Sequence, residues 1–169
     1  MKIFFIVIAL SLSLFGSDLL KIHRKLVPMT LLQVKNIIKK EDKTIKILII
    51  ANENELLTAQ ELADLIPNKI KNFFIEVNIL KESNIDNLLI LDFDAIYTFS
   101  LKNETYNVIN KISLQNSIVT FSNSYDGLEK GMLIFIDKKK KIEIYMNSKT
   151  MKYLKIPFNN KFLSIVKLI

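Results

Sequence analysis

Apolar residues fall into three kinds of pattern along this chain. Residues 3–15 form an unbroken run of apolar and small side chains, and Ile3–Ile8 has no polar face. From Leu19 to Lys40 the spacing becomes helical: Leu19, Leu20, Ile22, Leu26, Leu31, Leu32, Val34, Ile37 and Ile38 are apolar, with lysines between them. Pro28 is predicted to break or bend this segment, with Thr30 capping the second piece. The helix is expected to pack on its own sheet, a membrane surface being the alternative. After Glu41–Lys43 the pattern turns to strands. Thr44–Ala51 is almost wholly aliphatic, as expected of a strand buried on both faces of a parallel sheet. Phe73–Leu80 alternates, with Phe73, Ile75, Val77 and Ile79 on one side. A third strand lies within Asn87–Ser100, strongest at Ala95–Phe99, and a fourth spans Ser117–Ser122. Helices are predicted over Glu55–Ile66, closed by Pro67, and from an Asn103 cap to about Leu114.

Past Tyr125-Asp126-Gly127 the rhythm changes. Met132–Asp137 and Lys141–Met146 read as two strands of a hairpin joined by lysines, a solvated tip that protects a sheet edge. Asn147 or Ser148 is placed to cap a helix over Lys149–Leu154, ended by Pro157. Asn159 is placed to cap a last helix over Lys161–Lys167. The predicted fold is a single-domain α/β architecture: a mostly parallel open sheet with flanking helices, a C-terminal antiparallel hairpin and a terminal helix. Glycine occurs only at Gly16, Gly127 and Gly131. In so glycine-poor a chain these sites should serve backbone freedom, with Gly131 letting the chain turn back as the antiparallel pair.

Composition bounds the function. Of 169 residues, 50% are hydrophobic and 24% charged, which suits one domain with a real core. Met1-Lys2, the apolar run and Gly16-Ser17 before Asp18 have the layout of a secretory signal peptide. The run is shorter than the roughly 20 residues of a membrane span. We expect cleavage near Ser17, a domain over residues 18–169 and a periplasmic location, a retained anchor being the alternative. Basic residues outnumber acidic ones by 24 to 17, but Arg24 is the single arginine. Nucleic-acid readers favour arginine's bidentate fork, so the excess reads as a solvated lysine surface with no nucleic-acid partner. No cysteine is present, which excludes disulfides, a thiolate metal site and a thiol nucleophile. His23 is the one histidine, expected at the surface or internally satisfied; it cannot build a zinc site alone. No cofactor and no catalytic residue are expected.

Two sets of residues remain as candidate chemistry. Asp92 and Asp94 flank Phe93, and carboxylates two apart on a strand point the same way; they read as a turn into the strand, or as a metal or acid–base pair. Asn52, Asn54, Ser100 and Asn123 stand at strand ends, with Glu53 and Glu55 beside the first pair. Ligands of open α/β sheets sit beyond the carboxyl ends of strands, so these four are the candidate ligand positions; helix caps and turns are the alternative. No glycine-rich loop follows the first strand, which disfavours a dinucleotide. Tyr97, Tyr125, Tyr145 and Tyr153 are read as core or rim residues, although aromatics also serve interfaces.

Gly131-Met132-x-x-Phe135, Lys141-Ile142-Glu143-Ile144 and Asn147 resemble the C-terminal signature of the YfiR-like family, and Leu154-Lys155-Ile156 and Phe162–Ile169 continue the resemblance. Departures are Lys130 in place of the first glycine of a pair, the absence of cysteine, and an early helix without aromatics. The resemblance implies an exported small α/β domain in which Gly131, Met132, Phe135, Glu143 and Asn147 are structural. It further implies a regulator with no catalysis of its own. The best-known type restrains an inner-membrane diguanylate cyclase through that enzyme's periplasmic sensory domain and is released by an outer-membrane partner. A homodimer is expected. The alternative is a periplasmic small-molecule-binding module accessory to a sensor kinase or transporter.

Overall fold

A computed structural model describes residues 18–90, 92–138 and 141–169. The predicted signal segment and the middle of the four-lysine turn lie outside the described residues.

Helix α1 (18–31) buries Leu20, His23, Val27 and Leu31 along one stripe, against the sheet. Pro28 does not break it. The helix continues to residue 31, where Leu31 is fully buried; packing of this stripe outweighs the hydrogen bond that proline removes. Thr30 is a buried interior residue rather than a cap. Short α2 (Lys35–Ile38) starts at Val34 with no side-chain cap.

Strand β1 (Thr44–Ala51) is an interior strand of the sheet, and Ile45, Ile47, Leu48, Ile49 and Ile50 are all buried. Each such side chain contributes about 1.5–3 kcal/mol relative to exposure. A 3₁₀ turn (Glu53–Glu55) leads into α3 (Leu56–Leu65). Edge strand β2 (Lys69–Ile70), too short to be legible in the pattern, precedes β3 (Phe73–Lys81), whose observed alternation matches the predicted one. A 3₁₀ stretch (Glu82–Ile90) leads toward β4 (Ala95–Thr98). Then come α4 (Asn103–Asn116), β5 (Val119–Ser122), α5 (Tyr125–Glu129), β6 (Ile134–Lys138), β7 (Ile142–Met146), α6 (Ser148–Leu154), α7 (Asn160–Leu163) and β8 (Lys167–Leu168).

The strands form one sheet in the order β2-β3-β1-β4-β5-β6-β7-β8. Pairing is parallel from β3 through β6, antiparallel at β2–β3 and β6–β7, and parallel at β7–β8. The two faces have separate cores. Ile45, Ile47, Ile49 and Tyr97 pack with α1 and α3, while Leu48, Ile50 and Ile96 pack with α4 through Tyr106, Ile109 and Ile112. From β1 the chain goes outward to β3 on one side and returns to β4 on the other. The strand order therefore reverses between β1 and β4.

Three local expectations are corrected. Asn103 is the first residue of α4, not its cap; that position is Lys102, whose N–H is satisfied by Glu82 Oε1 at 2.7 Å. The terminal helix stops at Leu163, because residues 167–168 pair with β7. Gly131 does not reverse the chain. It has φ +102° at the exit of α5, and β6 then runs parallel to β5; the reversal is at the lysine turn. Gly127 is required for close approach instead: an added Cβ would lie 2.0 Å from Ser122 Oγ. Among the described residues, four left-handed positions are filled without glycine, by Lys43, Lys71, Ser117 and Lys155.

Candidate functional site at the carboxyl edge of the sheet

Hydrogen bonds that extend the parallel ladder set the site. Phe99 N donates to Ile50 O (3.0 Å) and Asn123 N donates to Thr98 O (2.9 Å), so the exits of β1, β4 and β5 lie side by side. Asn52, Ser100 and Asn123 thereby reach one edge, at the reversal of strand order where open α/β sheets place ligands.

Asn52 organises the first turn. Its Oδ1 accepts from Asn54 N (2.8 Å) and Glu55 N (3.2 Å), and its Nδ2 donates to Ser100 O (2.7 Å) and Glu55 Oε2 (3.1 Å). Ser100 N donates to the same Glu55 oxygen at 2.9 Å. Partial burial pushes the Glu55 carboxyl up from its ordinary value, while the hydrogen bonds from Ser100, Asn123 and Asn52 pull it back. Asn123 Oδ1 is buried and, among the described residues, has no hydrogen-bond partner. The cluster thus has a carboxyl group held by three neighbours and an adjacent amide oxygen with nothing donating to it. Both are acceptors, so the arrangement suits a ligand that presents N–H or O–H groups. Two exposed apolar side chains stand on elements leaving the same edge: Leu57 on α3 and Tyr125 at the start of α5.

Of the four predicted positions, the structure brings together Asn52, Ser100 and Asn123. Asn54 is exposed and contributes its backbone to the Asn52 turn. Glu55, which ties the three together, was not among the four. Its signal was the Asn-x-x-Glu spacing of a helix-start capping arrangement. The helix-cap alternative for Asn52 is also correct locally, since one side chain does both jobs.

The other candidates sit elsewhere. Asp92 and Asp94 lie at the amino end of β4. Asp94 accepts from Lys40 Nζ (2.9 Å) and Lys46 N (2.9 Å), and Asp92 meets Lys46 Nζ at 3.3 Å. They bind lysines, and no group of three or more His, Cys, Asp or Glu able to hold a metal occurs among the described residues. His23 is buried and satisfied: Nε2 donates to Ile136 O (2.9 Å) and Nδ1 accepts from the Tyr97 hydroxyl. Tyr97 is buried beneath the site, and its phenol is pushed well above its ordinary range by burial and by the nearby Glu55 charge. Tyr125, Phe135 and Tyr145 form an aromatic trio with centroids 6.0–6.2 Å apart, and Tyr153 is exposed.

The C-terminal signature residues have structural work. Met132 is fully buried. Glu143 accepts from Lys167 Nζ (2.7 Å) and the Tyr145 hydroxyl (2.6 Å), which holds its carboxyl down at about 2. Asn147 Oδ1 caps α6 through Thr150 N (3.0 Å), and its Nδ2 donates to Leu128 O (2.9 Å).

No helix among the described residues is long and apolar enough to cross a membrane. No family model matches the sequence, and no curated protein matches it significantly. The fold does resemble solved structures. A conserved domain protein from Vibrio cholerae O1 biovar El Tor superposes with TM-score 0.61 at 14% identity, over 88% of this chain and 59% of that one. An ABC domain in complex with L-Trp from Streptococcus pneumoniae gives 0.56 at 11%, over 83% and 62%. A ligand-free, open substrate-binding protein with adhesive properties from Clostridium difficile gives 0.54 at 14%, over 74% and 54%. The chain therefore spans a little over half the length of each. At these identities the likeness shows the fold, an open, mostly parallel α/β sheet with flanking helices.

Proposed function

We propose that this chain is a non-enzymatic, exported recognition module that takes a small polar ligand at the carboxyl ends of β1, β4 and β5. The observation that carries this reading is the buried, unpartnered Asn123 Oδ1 beside the hydrogen-bonded Glu55 carboxyl, at the reversal of strand order. Both groups accept, so the ligand class is a polar solute bearing N–H or O–H donors, amino-bearing solutes among them. Two of the structures that share the fold, one in complex with L-Trp and one a substrate-binding protein, support the same reading at the level of fold. Thermal-shift screening of the protein against amino-bearing metabolites tests it. A true ligand at 100 times its Kd stabilises by about 2.7 kcal/mol, and Asn123→Ala removes most of that shift. A screen without hits, or hits indifferent to Asn123→Ala and Glu55→Gln, overturns the reading.

A regulatory role of the YfiR type is the second reading, favoured by the residue pattern over Gly131–Asn147. In it, Leu57 and Tyr125 contact the periplasmic sensory domain of an inner-membrane signalling protein. Deletion of the gene raises cellular cyclic-di-GMP on this reading. Unchanged levels across growth conditions remove it.

A further inference from the structure

A cavity of about 310 Å³ lies between the second half of α4, the α5–β6 connection and α6, and shares no residue with the carboxyl-edge cluster. Its polar wall groups are largely committed inside the protein. Asn110 Nδ2 donates to Lys130 O (2.8 Å), Thr150 Oγ1 to Gly131 O (3.0 Å), and Thr120 Oγ1 accepts from Leu133 N (2.8 Å). Ser113 is the exception. It is 2% exposed, it lines the cavity, and its Oγ has no hydrogen-bond partner among the described residues. Buried hydroxyls are nearly always paired, so this one is a point of unmet demand.

The rest of the lining says what would meet it. Leu154 is buried on the cavity wall, while Leu114 and Tyr153 are large, exposed apolar side chains that also line it. The charges cancel: Lys130 is held by Asp126 at 2.7 Å, and exposed Lys149 and Glu129 are of opposite sign. An ion has no net attraction to this lining, whereas an apolar body does. Volume and lining match a small-molecule site: walls with more apolar than polar surface, and one buried polar group, Ser113 Oγ, left uncommitted to fix orientation. We propose that this cavity binds a small neutral molecule consisting of an apolar ring with one hydroxyl. The hydroxyl pairs with Ser113 Oγ, and the ring lies against Leu114 and Tyr153. The site is independent of the proposed carboxyl-edge function.

Titration of the ¹⁵N-labelled protein with p-cresol, and with toluene as the matched probe lacking the hydroxyl, tests this. Saturable amide shifts are expected over residues 110–116 and 149–155, with p-cresol bound about tenfold more tightly than toluene. Ser113→Ala should bring p-cresol to the toluene affinity. Leu114→Trp, at an exposed position, should fill the cavity and abolish both, which keeps the test open if Ser113→Ala perturbs folding. Absence of saturable shifts in those segments, or a preference for p-cresol that survives Ser113→Ala, overturns the proposal.

Discussion

His23 offers the sharpest physical test of the fold. Its ring is 1% exposed and bridges α1 to two strands: Nε2 lies 2.9 Å from Ile136 O on β6, and Nδ1 meets the Tyr97 hydroxyl on β4. A carbonyl only accepts, so Nε2 carries the proton and Nδ1 accepts from Tyr97. The imidazole is therefore held neutral. Burial pushes its pKa below the ordinary 6.5, against weaker upward pulls from Ile136 O and Asp137. The sign follows. Below about pH 6.5 the unfolded chain takes a proton that the folded chain declines. The stability contribution is thus complete above 6.5 and is lost as pH falls toward the folded pKa, with a slope approaching about 1.4 kcal/mol per pH unit. Tyr97→Phe leaves Nδ1 buried without a donor, which costs about 1–3 kcal/mol. In a chain of this size each kcal/mol lowers Tm by about 2–4 °C. Urea unfolding followed by circular dichroism at pH 7.5, 6.5 and 5.5 reads both effects, with His23→Leu as the non-titrating comparison. Glu55, whose pKa is raised, works in the opposite sense, so the difference between wild type and His23→Leu at each pH is the quantity to take. A difference that stays constant from pH 7.5 to 5.5, or a Tyr97→Phe cost within about 0.5 kcal/mol of zero, refutes the reasoning.

Three other outcomes follow from single contacts. Gly127→Ala forces a Cβ to 2.0 Å from Ser122 Oγ and 2.7 Å from Ser122 Cβ, and should cost at least about 1–3 kcal/mol in denaturant unfolding; adding Ser122→Gly should recover most of it, and a neutral Gly127→Ala would contradict the packing. Lys155 ends α6 at φ +50°, so Lys155→Gly should stabilise by about 1 kcal/mol, and destabilisation would show that its side chain matters more than its backbone. The Glu143 carboxyl, lowered to about 2, contributes stability that is present above about pH 4.5 and lost as pH falls toward 2; Lys167→Met should weaken that dependence, Tyr145 still donating, and speed amide exchange at Ile169, which donates to Met146 O at 3.0 Å, and unchanged exchange would dissociate the ion pair from β8.

How much of this was legible in the chain depended on how local the cause was. The largely aliphatic run Thr44–Ala51 reads as a strand buried on both faces, and it is observed with the same bounds. Asn147 and Asn159 announce their helices because capping is an interaction over two or three residues. Pro28 misled because the packing of Val27 and Leu31 on the sheet is a tertiary effect. Strand β8 was hidden because residues 167–168 become a strand only by pairing with β7, a partner about twenty positions away. The site followed the same division. Asn52, Ser100 and Asn123 are readable as strand ends, whereas Glu55's grip on Ser100 N spans 45 positions. The unmet demand of Asn123 Oδ1 and Ser113 Oγ belongs to the folded state alone.

The central claim is that recognition takes place at the carboxyl edge, between the exits of β1, β4 and β5. Amide shift mapping, with whichever amino-bearing solute gives the largest thermal shift, tests it most directly. Saturable shifts centred on Asn52, Glu55, Ser100 and Asn123, abolished by Asn123→Ala, are predicted. A ligand whose shifts leave those four amides unmoved would contradict it.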